Sequence, residues 1–332
     1  MINQGPSATA APSRLERREE ECMEPKTPSR LEKVMAAGHL GVTSEVGPPR
    51  GADGAEIEHK GHLIKDYVDA VNVTDNQTSV VRLCSLASCI RLKQMGIDPV
   101  LQMTTRDRNR IAMQSDILGA ASFGIHNMLC LTGDHQTFGD HPMSANVFDL
   151  DSVQLIQTVK MMRDEGKLLS GFEMKVRPQI FIGAAENPFA GPNVELRAMR
   201  LGKKIAAGAE FIQTQCIYNI PKFKEWMKIA VDKGYAEKAY IMAGITPFKS
   251  LGMARYMKTK VPGMDVPDYL IDRLKGVPKE KQADEGIKIA IEMIQELKEV
   301  PGVRGFHIMA IEWEEKVPER VKGGGLYPRP QV

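Results

Sequence analysis

Residues 99–134 read PVLQMTTRDRNRIAMQSDILGAASFGIHNMLCLTGD. The run Pro99–Met103 is short and apolar, as a buried strand requires, and it stops in the polar stretch Thr104-Thr105-Arg106-Asp107-Arg108-Asn109. An amphipathic stretch then predicts a helix over Arg108–Phe123, and a second apolar run predicts a strand over Asn127–Thr132, just before Gly133-Asp134. Strand, helix and strand in so short a span form a βαβ unit, whose crossover makes the two strands parallel.

The alternation continues in both directions. Upstream, strands are predicted at Gly41–Val46 and Ala70–Val73, with a helix over Ser79–Met95. Downstream, strands are predicted at Gln179–Ala185, Phe211–Thr214, Ala239–Ala243 and Gly305–Ile308. The helices between them fall at Leu150–Asp164, Asn193–Ala207, Pro221–Lys233, Ser250–Thr259 and Ala283–Leu297, with a short extra one over Val266–Leu274. Eight such strands predict an α/β fold, a (β/α)8 TIM barrel with an N-terminal extension. The competing open doubly wound sheet lacks its fingerprint, since no G-x-G-x-x-G follows the first strand. Ser29-Arg30-Leu31-Glu32 reads as a capping box opening a short helix that stops at Gly38. The chain divides into an extension rich in Ser, Pro, Ala and charge (1–28), the barrel (29–315) and a C-terminal tail (316–332).

The 332 residues are 42% hydrophobic and 26% charged, enough apolar mass for one large core. Net charge is +2, with basic residues dispersed among acidic ones, which argues against nucleic-acid binding. No run of about 18 apolar residues appears, so no membrane span is predicted. The N-terminus lacks the apolar centre of a signal peptide, so a cytoplasmic protein is expected. The five cysteines (Cys22, Cys84, Cys89, Cys130, Cys216) read as reduced thiols. Cys84 and Cys89 have no further ligands nearby, and His135 and His141 match no zinc spacing, so no metal is expected.

In a barrel the chemistry sits where strands end, on the βα loops. Those ends are polar here: Glu45, Thr74 to Gln77, Gln102 and Thr104 to Asn109, Thr132 to Asp134, Glu186-Asn187, and Gln215. Glu45 precedes a stiff Gly-Pro-Pro turn; partly buried, it would have a raised pKa and serve as general acid, or else sit in a salt bridge at the mouth. Asp134 follows a glycine that lets a ligand ring approach the backbone; it either caps the next helix or tunes a bound cofactor. Alternation points Gln213 and Gln215 to one face, where Gln215 would bond a heterocycle or merely satisfy backbone. Lys203-Lys204 either meets a phosphate or forms a solvated face, and Arg106, Arg108 and Arg110 divide between phosphate binding and pairing.

The segments Leu101–Asn109, Gln114–Ala120 (QSDILGA), Asn127–Asp134, Gly208–Gln215 (GAEFIQTQ) and Ala243–Pro247 (AGITP) together resemble the methylenetetrahydrofolate reductase family, in family-like order over residues 38 to 310. The resemblance implies a (β/α)8 barrel with a flavin at the C-terminal rim, FAD or FMN. It implies reduction of 5,10-methylenetetrahydrofolate to 5-methyltetrahydrofolate by hydride from flavin N5. Glu45 matches the glutamate that helps open the folate ring, and Asp134 the aspartate beside the flavin that also contacts the pterin. Gln215, with Gln213 beside it, matches the pterin-bonding glutamine. Asn76, Gln102, Thr104, Thr132, Gly133 and Lys204 fall in flavin-contacting segments. The electron donor implied is NAD(P)H or a separate iron–sulfur subunit, in an oligomeric enzyme, with the N-terminal extension as a docking element for that subunit.

Some positions depart from the family pattern. The Phe after strand 7 that stacks on nicotinamide or folate is Leu251 or is replaced by Phe248; the strand-3 His falls near Val100 or Gln102; and an Asp and an Asn after strand 5 become Arg197 and Arg200. These departures bear on NADH use and on FAD versus FMN. A pterin-binding methyltransferase barrel without flavin, and a non-catalytic barrel subunit of a redox complex, share the fold and stay open as alternatives.

Overall fold

The computed structural model describes residues 24–332, so most of the predicted extension, with Cys22, lies outside the described residues. A helix α1 (Arg30–Ala36) precedes β1 (Gly41–Val46), α2 (Gly54–Ile64), β2 (Ala70–Val73), α3 (Ser85–Gln94), β3 (Pro99–Thr104) and α4 (Arg110–Ser122). Then come β4 (Asn127–Leu131), α5 (Ser152–Asp164), β5 (Phe181–Glu186), α6 (Val194–Ala207), β6 (Phe211–Cys216) and α7 (Ile220–Asp232). The chain ends with β7 (Tyr240–Ile245), α8 (Leu251–Lys260), α9 (Asp268–Lys275), α10 (Gln282–Leu297), β8 (Val303–Ile308) and α11 (Val317–Gly323). The strands pair in parallel and in chain order, and β1 closes on β8: a (β/α)8 barrel, not an open sheet.

Strand side chains alternate between two environments. Outward residues such as Val42, Val71, Leu101, Met128, Ile182 and Ile212 pack under the helices in one continuous core. Inward residues at the strand starts form a second cluster: Ala70, Val100, Leu129, Phe181, Phe211, Tyr240 and Met242, plugged from below by Leu31 and Met35 of α1. Phe181 and Phe211 lie 4.8 Å apart between ring centroids. Phe211 fits because β5 carries Gly183 opposite it; a Cβ there would stand 2.2 Å from the ring. Burying each such ring contributes about 1.5–3 kcal/mol.

Three local expectations need correction, and the C-terminal residues prove packed. Ser29 accepts from the Glu32 amide (3.0 Å), but the Glu32 carboxylate turns to the amides of Lys26 and Thr27 instead of completing a capping box. Helix α2 was missed because Gly61 sits inside it; the glycine is there because a Cβ would come within 2.7 Å of Leu92. The helix predicted from Ser79 starts at Ser85, since Asn76, Thr78 and Ser79 adopt left-handed backbone that no helix tolerates. The segment predicted as a tail, 316–332, is packed: α11 contacts α10, and the buried Arg329 pairs with Asp69 and donates to Leu40 O. Asp69 is fully buried at the barrel floor and also accepts from the Val42 amide (2.8 Å).

Candidate functional site

Above the apolar floor the inward side chains become polar. Gln213 Nε2 donates to Thr43 Oγ1 (3.0 Å) and Asn72 Oδ1 (3.1 Å), and Asn72 Nδ2 donates back to Gln213 Oε1 (2.7 Å). β1 and β6 are not neighbours in the sheet, so these bonds cross the barrel interior. His307 joins them through Nδ1, 2.9 Å from Thr43 Oγ1, and its Nε2 stands 3.7 Å from Glu45 Oε2. Thr43, Asn72, Gln213 and His307 are all buried, whereas Glu45 is the half-buried member that meets the mouth. Groups that satisfy one another in a low-dielectric interior make a rigid layer, and Glu45 rests on it.

The mouth is a cavity of about 460 Å³, with Gln102, Gln215, His307, Met309, Lys204 and Arg197 among its lining. Gln215 sits where the β6–β7 register shifts, between Gln213 and Cys216, and its Oε1 accepts from the Cys216 amide (3.0 Å). That fixes the carboxamide and leaves its NH2 for a ligand. Burial pushes the neighbouring Cys216 thiol up to about 12, with the Glu45 charge adding to it. Lys204 is buried and committed: Nζ donates to Glu186 Oε2 (2.8 Å) and to Ala185 O (2.5 Å). Arg197 and Arg200 form no ion pair among the described residues, and the Arg197 Nε is buried without a partner.

The β2–β4 side of the rim is built differently. Asp75, fully buried, accepts from Thr104 N and Oγ1 (both 2.9 Å) and pairs with Arg108 (2.7 Å), which also reaches Asp116. Burial opposes the Arg108 charge, but the bonds to Asp75 outweigh it and raise its pKa. Arg106 pairs with Asp107 and donates to Ser79 Oγ and the carbonyls of Asp134 and Asn76. Arg110 pairs with Asp149. All three arginines of the β3–α4 segment are thus spent on structure. Gly133 has φ +90°, and a Cβ there would come 3.0 Å from Thr104. Asp134 is exposed, Thr132 Oγ1 accepts from the Ser152 amide at the start of α5, and Asn76 bonds Asp107 and the Arg82 amide. Gln102, Gln213, Gln215 and Lys204 line the mouth, and Glu45 stands beside them against His307. Asn76, Thr104, Thr132, Gly133 and Asp134 lie on the adjoining loops.

A family model for methylenetetrahydrofolate reductase matches residues 30–323. The chain belongs to the methylenetetrahydrofolate reductase family. A probable methylenetetrahydrofolate reductase (NADPH) of Caenorhabditis elegans is 21% identical over 90% of this chain and 44% of its own length. Methylenetetrahydrofolate reductase 2 of Schizosaccharomyces pombe is 26% identical over 69% of this chain and 36% of its own. The chain thus spans less than half the length of these relatives. Among solved structures, an uncharacterized protein from Clostridium thermocellum that binds two copies of 5-methyl-5,6,7,8-tetrahydrofolic acid shares the fold, with TM-score 0.58 and 14% identity over 89% of this chain and 97% of that one.

The positions where this member departs from the family pattern are now placed. Phe248 is fully buried and stacked on Tyr218 at 4.4 Å, and Leu251 is half-buried against the core, so neither offers a ring to the mouth. Val100 belongs to the floor cluster, while Gln102, two residues on, lines the mouth. Sequence reasoning passed over Thr43, Asn72, His307 and Met309. The signal was there in the inward alternation Thr43–Glu45 and Gly305–His307–Met309, once the strand-8 rim is read like the others. Among the described residues no group of three or more His, Cys, Asp or Glu is placed to hold a metal, and no helix is long and apolar enough to cross a membrane.

Proposed function

We propose that this chain reduces 5,10-methylenetetrahydrofolate to 5-methyltetrahydrofolate with a flavin held at the barrel mouth. The observation that carries the reading is Glu45: a half-buried carboxylate braced by His307 at the edge of a polar cavity, over an apolar floor. The residues present fit an anionic heterocycle, because Arg197 Nε is buried and unpartnered in the cavity wall. Gln102, Gly133 and Lys204 would hold the flavin, and Asn76, Thr104 and Thr132 shape its loops. Asp134 would place negative charge at its edge. Bound there, the flavin supplies hydride to the one-carbon unit.

Glu45 would deliver a proton to the folate nitrogen that leaves the one-carbon bridge as the ring opens. His307, anchored through Nδ1 to Thr43 Oγ1 at 2.9 Å with Nε2 3.7 Å from Glu45 Oε2, would hold the carboxylate toward substrate. Gln215 would bond the pterin with its free NH2, while Gln213 acts from below, keeping Thr43 and Asn72 in place. The electron donor would be NAD(P)H or an iron–sulfur partner subunit.

Glu45→Gln tests the assignment. General acid catalysis contributes about 100- to 10,000-fold, so folate-dependent reoxidation should fall by that factor while flavin reduction by an artificial donor survives. Equal loss in both half-reactions would remove Glu45 as the acid.

A further inference from the structure

Among the described residues the arginines differ in how their charge is met: many pair with a carboxylate, while Arg82, Arg177 and Arg320 are held by backbone carbonyls. Arg106, Arg108, Arg110, Arg163, Arg273 and Arg329 each pair with a carboxylate. Arg197 and Arg200 do not, although both line the mouth cavity. They are three apart on α6, so their side chains are neighbours, and like charges so placed repel unless an anion joins them. Lys204, one turn further along the same face, has its charge met by Glu186. The Arg197 Nε is shielded from solvent with no acceptor, which costs free energy unless a ligand supplies one.

We propose that Arg197 and Arg200 form a subsite for a terminal phosphate monoester on a ligand of the mouth, an inference that rests on the flavin-reductase reading. The two uncompensated guanidinium charges match the roughly −1.5 to −2 of a monoester at neutral pH. Their forked N–H groups suit its three terminal oxygens, which a diphosphate linkage does not present on one phosphorus. Two sources carry that chemistry: the 5′-phosphate of flavin mononucleotide and the 2′-phosphate of a reduced nicotinamide dinucleotide.

The test uses the full chain stripped of flavin, titrated with riboflavin, FMN and FAD by quenching of flavin fluorescence. A second arm titrates NADH against NADPH with flavin in place. In the first arm FMN is expected to bind about 10- to 100-fold more tightly than riboflavin, and more tightly than FAD. Arg197→Gln and Arg200→Gln should each remove about tenfold of that margin and leave riboflavin unchanged, with Arg197→Lys keeping part of it. If the margin lost is instead that of NADPH over NADH, the phosphate is the nucleotide's, and the subsite stands. The subsite is overturned if riboflavin, FMN and FAD weaken alike, if neither margin moves, or if only folates with added glutamates weaken. Flavins that bind equally well, with NADPH and NADH also equal, remove the subsite alone; a chain that binds none of the three flavins removes the flavin reading with it.

Discussion

The two ends of the barrel are made by the same eight strands and have opposite chemistry. At the floor, inward positions are Ala70, Val100, Phe181, Phe211 and Tyr240, closed by α1 and strapped by Arg329 on Asp69. At the mouth, two to four residues further along the same strands, they are Gln102, Ala185 and Gln215. Between lies one polar layer in which Thr43, Asn72, Gln213 and His307 satisfy one another. The difference separates two tasks. Stability comes from the floor, where apolar area is removed from water, and the proposed chemistry falls at the polar end. The middle layer serves both, since it seals the floor and seats Glu45.

Breaking the floor should cost most. Phe211→Ala leaves a ring-sized void against Gly183 and Phe181, an expected loss of about 3–5 kcal/mol in denaturant unfolding. Flavin binding should persist under conditions where the variant is folded. Arg329→Ala leaves the buried Asp69 charge to Arg30 at 3.4 Å and the Val42 amide, and should cost about 3 kcal/mol by the same measurement, tying the C-terminal residues to the barrel. A loss near zero in either variant would break the distinction between the two ends.

The middle layer should show smaller stability effects joined to a change in function. Gln213→Leu strands the Asn72 amide and costs about 1–3 kcal/mol, and it should also slow folate turnover, because Thr43 no longer steadies His307. Lost stability with unchanged turnover would reduce the layer to a seal. The smallest effect concerns thiols. Burial raises the pKa of Cys216 to about 12 and drives Cys89 and Cys130 upward, so these thiols stay protonated and shielded at pH 8, while Cys84 is exposed. Maleimide labelling of folded protein at pH 8, mapped by mass spectrometry, should therefore mark Cys84 among the described cysteines with no loss of stability.

The barrel was legible because each strand is a short apolar run with a polar end, a pattern that needs no knowledge of partners. Helix α2 was not, because Gly61 answers to Leu92, a residue far along the chain. Rim residues such as Glu45, Gln102 and Gln215 could be picked out as strand ends. Their division of labour could not: Gln213 and Gln215 look equivalent in alternation, yet one is consumed by Asn72 and Thr43 while the other faces the cavity. The three arginines of the β3–α4 segment left phosphate binding and pairing open, and the fold pairs all three: Arg106 with its neighbour Asp107, and Arg108 and Arg110 with Asp75 and Asp149 from other loops. Arg197 and Arg200 were conspicuous only as departures, and their lack of partners is a property of the folded chain.

The central claim, a flavin at the mouth that reduces folate beside Glu45, is tested most directly by an anaerobic single turnover. Full-length protein reconstituted with flavin is bleached with stoichiometric reductant, then mixed with 5,10-methylenetetrahydrofolate while visible absorbance is followed and the folate product is identified by mass. The expected result is return of the oxidised flavin spectrum with an equal amount of 5-methyltetrahydrofolate. A spectrum that stays bleached, with the folate unchanged, would contradict it.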